Sequence, residues 1–121
     1  MAQKPPLNRV EIVVHPRKFE IHPVCPEVWA GFEPLQVTVD WRGNKEEWLA
    51  IRVQGFADSE GRPLQTDPAH LEFRPSEGEV VKPLHFLSRI QQDDYCKYEL
   101  EYQRKEPPET LIVDPTLRLK R

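Results

Sequence analysis

The feature of this chain that most constrains its fold is an alternation of side chains over residues 95–103, YCKYELEYQ. Apolar residues or a cysteine alternate with charged ones, so an extended chain would have Cys96, Tyr98, Leu100 and Tyr102 on one side and Lys97, Glu99 and Glu101 on the other. A period of two is typical of a strand with one packed face and one solvated face, whereas a helix repeats its apolar positions every three or four residues. The stretch therefore predicts an antiparallel sheet.

Proline usage points the same way. The chain has 13 prolines in 121 residues, about twice the average usage, and they are scattered along it. Because proline interrupts a helix by removing a backbone donor and clashing with the preceding turn, few windows of helical length remain. We therefore expect an all-β protein. Its length suits one domain, which we place at residues 9–121, behind a flexible N-terminal lead at residues 1–8.

Similar alternations predict further strands. Residues 9–15 alternate, and Phe19 and Ile21 continue the pattern after Pro16, so we interpret the two pieces as one first strand broken at the proline. Residues 35–42 form the second clear strand, with Trp41 on its buried face. Further strands are predicted at residues 71–73, 80–88 and 110–120, the last one split at Asp114-Pro115. The total is about seven to nine short strands.

Two stretches allow either helix or strand. In 44–54, Asn44 followed by Glu47 resembles a helix-capping box, whereas the alternation through Ile51 and Val53 favours a strand. We favour the strand, with Leu49 buried and Trp48 pointing outward. In 83–92, Pro83 marks either a strand edge or bulge, or the start of a short helix with apolar residues spaced by three, at Leu84, Leu87 and Ile90.

Aromatic residues also occur in a proline-bounded segment, 23–34, which we interpret as a loop. It carries Trp29 and Phe32 beside Gly31. Large aromatic side chains in such a loop usually cover the open end of a β-sandwich, and the alternative is a patch that faces a partner.

Two cysteines, Cys25 and Cys96, lie on either side of Trp41, and Tyr95 directly precedes Cys96. Together with the closing Asp-Pro-x-Leu-x-Leu of residues 114–119, this arrangement resembles small immunoglobulin-like or cupredoxin-like β-sandwiches, including short bacterial domains without an assigned role. The resemblance implies an immunoglobulin-like antiparallel β-sandwich. It also raises the question of a Cys25–Cys96 disulfide. We favour two free thiols, because prolines flank Cys25 and a reducing compartment keeps thiols reduced.

Metal chemistry is not indicated by the sequence. A blue-copper site needs histidines near its cysteine and often an axial methionine, but no histidine follows Cys96 and the only methionine is Met1. His15, His22 and Cys25 are conceivable zinc ligands, yet two prolines intervene and no fourth ligand is evident. We expect no metal and no cofactor.

Catalysis and nucleic-acid binding are also not indicated. No nucleophile motif and no glycine-rich phosphate loop occurs, and the abundant acidic residues carry no substrate-related pattern. The net charge of −3 gives no basic field for nucleic acid, and the single dense basic run is at 118–121. No apolar run is long enough to cross a membrane, and the N-terminus lacks the apolar segment of a secretory signal, so we expect a cytoplasmic protein.

The class of function that remains is recognition of a partner by the surface of the protein. Our first hypothesis is a non-enzymatic interaction or assembly module that binds another protein through an edge strand or its end loops. The second is a carbohydrate-binding module that uses exposed tryptophans, and the third is a small hydrolase with acidic catalytic groups. The candidate binding residues are Trp29, Phe32 and Trp48.

Overall fold

Strands account for nearly all regular structure in the computed structural model, which describes residues 9–15, 18–22, 27–29, 34–42, 45–87, 94–105 and 108–120. In this part of the chain there are eleven: β1 Arg9–Val14, β2 Phe19–His22, β3 Glu27–Trp29, β4 Leu35–Trp41, β5 Trp48–Ala57, β6 Thr66–Asp67, β7 Leu71–Phe73, β8 Val81–Phe86, β9 Asp94–Arg104, β10 Glu109–Val113 and β11 Thr116–Lys120. The all-β prediction is confirmed, with more strands than the seven to nine expected. The predicted lead at residues 1–8 lies outside the described residues.

The strands form two sheets that pack face to face. The first has the order β2-β1-β4-β8-β6, and the second has the order β3-β11-β9-β5-β7, with β10 also paired to β9. Most neighbours are antiparallel, but β1 pairs with β4 in parallel, and so does β3 with β11. The prediction of an antiparallel sandwich therefore holds for most pairs of neighbours but not for these two. Parallel neighbours require a long crossover connection, which local alternation cannot reveal.

The first predicted strand is in fact two strands. Val14 lies opposite Phe19 and Ile12 opposite Ile21, so β1 and β2 form an antiparallel hairpin within one sheet. The backbone N–H of His15 donates to the carbonyl oxygen of Lys18 at 2.9 Å and closes the turn. The interpretation of one strand broken at Pro16 is wrong, because the chain reverses where a continuous strand was expected.

The core lies between the sheets and contains the side chains that the alternation predicts. In β4 every second residue is buried, including Trp41, and β9 buries the predicted set Cys96, Tyr98, Leu100 and Tyr102. Burial of these side chains is the main favourable term in folding, at roughly 25 cal/mol per Å² of apolar surface. The faces of β4 and β9 are therefore confirmed.

The segment 44–54 contains the predicted strand, and Ile51 and Val53 are buried as predicted, but the inward and outward positions are exchanged at its start. Glu46 and Glu47, which favoured the helical alternative, form part of a short 3-10 turn, Lys45–Glu47, and β5 follows directly. Trp48 is 6% exposed and Leu49 is 50% exposed, the reverse of the prediction. The cause is a β-bulge, because Trp48 lies opposite Arg104 while Ala50 lies opposite the very next residue of β9, Gln103. The extra residue, Leu49, shifts the alternation of side chains by one position, so Trp48 points towards the core and Leu49 towards solvent.

A second bulge in β5 follows at Gly55. Gln54 pairs with Glu99 and Ala57 with Lys97, so three steps along β5 match two along β9. Gly55 has φ of 68°, a left-handed conformation that glycine adopts without a steric penalty. The bulge turns Phe56 into the core.

The start of the segment 83–92, for which strand and helix were both possible, forms part of strand β8. Pro83 lies within β8, opposite Gln36 of β4, and the segment beyond Leu87 falls outside the described residues. Proline is tolerated at a sheet edge, and β6 pairs only with His85 and Phe86, which leaves the earlier part of β8 without a second neighbour among the described strands. The segment 23–34 was interpreted as a loop, but it contains the short strand β3.

Strands β10 and β11 follow one another along the same side of β9, and β5 occupies the other side. Asp114-Pro115 separates them, as predicted, and the backbone N–H of Tyr98 donates to the carbonyl oxygen of Pro115 at 3.0 Å. The other side of β11 pairs with β3, whereas β10 lies at the border of the sheet among the described strands.

Candidate functional site

Trp48 was predicted to be an exposed binding residue, and the structure places it in the core instead. Its indole ring meets Phe19 edge to face at a centroid distance of 5.2 Å. The guanidinium carbon of Arg104 lies 5.0 Å from the ring centroid, and Glu47 accepts a hydrogen bond from Arg104 at 3.2 Å. The ring is enclosed by these neighbours, so it offers no surface to a ligand.

The positions of the other two predicted binding side chains are not described. Trp29 belongs to β3, and nothing is described of its side chain. Phe32 lies outside the described residues. The two tryptophans with described side chains, Trp41 and Trp48, are both buried. An exposed tryptophan platform is therefore not formed by either of them.

The surface feature that the sequence interpretation missed is the outer edge of β10. Within the described part of the chain β10 pairs with β9 alone, so its other edge has no strand beside it. Ile112 is 55% exposed and Val113 is 39% exposed. The available signal was the run of three apolar residues Leu111-Ile112-Val113, because an alternating strand with one buried face would not place an isoleucine at its middle position.

The remaining edges of the described sheets are protected in ways that β10 is not. A free edge exposes backbone donors and acceptors, and proteins usually blunt it with short strands, charges or proline. β3 and β7 have three residues each and β6 has two. β8 contains Pro83, and also Lys82, whose ammonium group lies 2.9 Å from a carboxylate oxygen of Glu77 and 5.0 Å from the centroid of the Phe73 ring.

β2, the border of the first sheet, is protected by a charge cluster. One carboxylate oxygen of Glu20 lies 2.9 Å from Nε2 of His15 and 3.5 Å from Nε2 of His22, and the other lies 3.3 Å from Nζ of Lys18. The hydrogen bond from His15, followed by those from Lys18 and His22, lowers the pKa of Glu20 to about 2. Such a charged edge is unattractive to an apolar strand.

β10, in contrast, has five residues without lysine or proline, and its single charged residue, Glu109, is at its first position. On its outer face Thr110 lies opposite Gln103 and Ile112 opposite Glu101. Gln103 and Glu101 belong to β9, and Glu101 interacts with the next strand, β5. A guanidinium nitrogen of Arg52 in β5 lies 3.9 Å from a carboxylate oxygen of Glu101. The apolar edge therefore borders a charged sheet face.

Two surface cavities that are lined by described residues lie away from β10. One, of about 410 Å³, is lined by Phe56, Leu64 and Leu87 beside the Gly55 bulge. The other, of about 270 Å³, has Arg9, Glu11, Asp40 and Glu79 among its lining residues. Asp40 also forms an ion pair with Arg42 at 2.8 Å. None of the described lining residues of this second cavity is a serine, cysteine or histidine, so it contains no nucleophile of those types.

The conceivable zinc ligands do not assemble in the described part of the chain. His15 and His22 both contact Glu20, Cys25 lies outside the described residues, and no group of three histidine, cysteine or acidic side chains in the described ranges is arranged to hold a metal ion. Cys96 is a buried free thiol, and burial raises its pKa to about 12. A thiol with a raised pKa is a poor nucleophile and a poor metal ligand.

Comparison with known proteins finds no match to a protein-family model, to a curated protein or to a solved structure. In the described ranges, the structure also contains no helix with the length and apolar character needed to cross a membrane.

Proposed function

We propose that this protein is an interaction or assembly module that binds an extended segment of another polypeptide chain along the free edge of β10. The observation that carries the proposal is the contrast between β10 and the other edges. It is a five-residue strand that has a neighbour on one side only among the described strands, and its residues Ile112 and Val113 are exposed. Strand addition uses such an edge, with main-chain hydrogen bonds supplying affinity and alternate side chains supplying specificity.

The side chains of β10 define the kind of strand that fits. Leu111 and Val113 lie on the face that points towards the core, opposite Tyr102 and Leu100, and Ile112 lies on the outer face. An incoming strand would therefore meet apolar side chains on both faces. Its best complement is a short β-branched or aliphatic run, because cross-strand pairs of such residues stabilise a sheet by roughly 0.2–1 kcal/mol each.

We also propose that the scaffold is immunoglobulin-like. In support of this, β4, β8 and β6 lie in the order of strands B, E and D of that fold, and β11, β9, β5 and β7 follow the order G, F, C and C′. The parallel pairing of β3 with β11 is compatible with an additional A′ strand. Two features depart from the pattern. β1 pairs with β4 in parallel, whereas strand A of an immunoglobulin domain runs antiparallel to strand B. Along the chain β6, in the place of strand D, also precedes β7, in the place of strand C′, whereas C′ precedes D in that fold.

Binding at the β10 edge can be tested by selecting short peptides from a displayed library on the wild-type protein. We expect the selected peptides to bind the Val81→Lys variant normally and the Ile112→Lys variant at least about tenfold more weakly. Val81 is a matched control, because it is also a β-branched strand residue with 55% exposure, in the other sheet. Binding should also slow hydrogen exchange of the β10 amides.

The proposal fails if no peptide is selected, or if the selected peptides bind both variants equally and leave hydrogen exchange of the β10 amides unchanged.

The carbohydrate-binding and hydrolase hypotheses gain no specific support. Trp41 and Trp48 are buried, and one of the acidic residues that line the 270 Å³ cavity, Asp40, forms an ion pair with Arg42.

A further inference from the structure

The residues on the β10 edge complement a second copy of themselves, and this identifies a partner for the edge. We propose that two copies of this chain pair through β10 in antiparallel orientation, with a two-fold axis at Ile112. The inference rests on the proposed function of β10 as a strand-addition edge, and it names the strand that is added.

The register follows from the sequence of β10, Glu109-Thr110-Leu111-Ile112-Val113, and of Asp114, which comes directly after it. In antiparallel strands, directly opposite residues lie on the same face of the sheet. With the axis at Ile112, each Ile112 lies opposite its counterpart on the outer face, and Leu111 of one chain lies opposite Val113 of the other on the inner face. Thr110 then lies opposite Asp114, a hydroxyl beside a carboxylate. Each apolar residue of β10 meets an apolar residue, Glu109 lies opposite Pro115 just beyond the strand, and no like charges are opposed.

Neighbouring registers lose this match. An axis at Leu111 places Thr110 opposite Ile112 and Glu109 opposite Val113, which pairs a polar residue with an apolar one at two levels of the ladder. Such pairs leave the exposed isoleucine and valine without apolar contact. The Ile112 axis is therefore the register that covers the exposed apolar surface of β10.

The two-fold arrangement also explains how an unprotected edge is compatible with a defined assembly. An isologous contact uses the same patch on both copies, so pairing consumes both β10 edges and stops at two chains. The other described edges are short, charged or proline-containing, as shown above, and they do not extend the sheet further. The result is one continuous sheet across two chains.

The strength of the association is expected to be modest. Five residues from each chain form a small interface, in the range below about 1,200 Å² that is typical of weak, reversible complexes. We therefore propose sedimentation equilibrium over a series of concentrations from about 10 µM to about 1 mM. The wild-type chain should pass from monomer to dimer in this range, without higher oligomers.

Charge substitutions on the axis test the register. Ile112→Lys and Ile112→Glu each place two like charges next to one another in a dimer of identical chains, so each variant alone should dimerise at least about tenfold more weakly than the wild type. An equimolar mixture of the two variants places opposite charges together, and dimerisation should return. Because folded chains are required for this rescue, the mixture also controls for misfolding. Val81→Lys should dimerise like the wild type.

The possible outcomes separate the inference from the proposed function. A wild-type chain that stays monomeric at about 1 mM, a dimer that is indifferent to both charges at residue 112, or a mixture that does not recover each overturns self-pairing at Ile112. If self-pairing fails while the selected peptides still lose affinity for the Ile112→Lys variant, strand addition stands with a different partner. If the peptides are also indifferent to that variant, the β10 edge has neither role.

Discussion

The guanidinium carbon of Arg104 lies 5.0 Å from the centroid of the indole ring of Trp48, its cross-strand partner. This contact exists because the bulge at Leu49 turns Trp48 towards the core and leaves Leu49 in solvent. Trp48 also approaches Tyr102, which stacks on Phe19 from the facing sheet at a centroid distance of 3.7 Å. One inserted residue in β5 therefore joins the two sheets through an aromatic cluster.

The first prediction concerns this cluster. Trp48→Ala should lower the free energy of unfolding by roughly 3–5 kcal/mol, because it removes a large buried ring and leaves a cavity. Leu49→Ala, at the adjacent exposed position, should change it by less than about 0.5 kcal/mol. Urea unfolding followed by circular dichroism measures both. A near-neutral Trp48→Ala together with a costly Leu49→Ala would show that the bulge is absent and that β5 has the simple alternating register.

The second prediction concerns the bulge at Gly55. Its φ of 68° disfavours a residue with a β-carbon, and Gly55→Ala should cost about 1–2 kcal/mol. Space is not the reason, since an added β-carbon would lie 3.5 Å from Cβ of Glu99, an ordinary contact. Gly55→Asn should cost less, because asparagine tolerates the left-handed region. Thermal unfolding compares the two variants. Equal melting temperatures for the wild type and Gly55→Ala would contradict the left-handed conformation.

The third prediction concerns alkaline pH. Burial, with smaller contributions from Asp94 and Asp58, raises the pKa of Cys96 from 9.0 to about 12. The unfolded chain therefore loses this proton first, and the stability that the protonated thiol contributes is present below pH 9 and lost between pH 9 and about 12. Burial also raises the pKa of Tyr102, which adds to the same trend.

Urea midpoints measured through this alkaline range should fall as the pH rises. The Cys96→Ala variant should show a smaller fall, and Tyr102→Phe should show the same change independently. A native thiol that reacts with alkylating reagents as fast as the unfolded chain would argue against the buried position of Cys96.

The fourth prediction concerns the edge strand β2. The hydrogen bonds from His15, Lys18 and His22 lower the pKa of Glu20 from 4.5 to about 2, so the stability that its carboxylate contributes is present above pH 4.5 and is lost as the pH falls towards 2. An NMR titration of the side-chain carboxyl carbon measures this pKa directly. His15→Ala should raise it more than His22→Ala, since the two imidazole nitrogens lie 2.9 Å and 3.5 Å from the carboxylate oxygen. Equal effects of the two variants would mean that the shorter contact is not formed.

Several features of the fold follow from local patterns alone. The alternation in β4 and β9 predicts both the strands and their buried faces, because side-chain direction in a strand depends only on the backbone of that strand. The predictions that proved wrong concern features that depend on pairing between distant strands. Trp48 and Leu49 exchange places through a bulge that is defined by pairing with Arg104 and Gln103, which lie far away in the sequence.

At the candidate site, the edge of β10, the sequence likewise shows the residues but not their exposure. The run Leu111-Ile112-Val113 is visible in the sequence, but three apolar residues in a row are compatible with a strand buried on both sides. β10 and β11 lie one after the other along the same side of β9, separated at Asp114-Pro115. Ile112 is exposed because β3 pairs with β11 and not with β10. The aromatic residues that attracted attention in the sequence, Trp29, Phe32 and Trp48, do not identify this edge.

The sequence by itself determined that this protein is built from β-strands, where most of them run and which side chains of β4 and β9 enter the core, because a period of two and frequent prolines act within single segments. Only the tertiary structure decided the parallel neighbours, the inward turn of Trp48 and the free edge of β10. These depend on register and on which distant strands become neighbours, and the free energies that select them arise when the two sheets pack together.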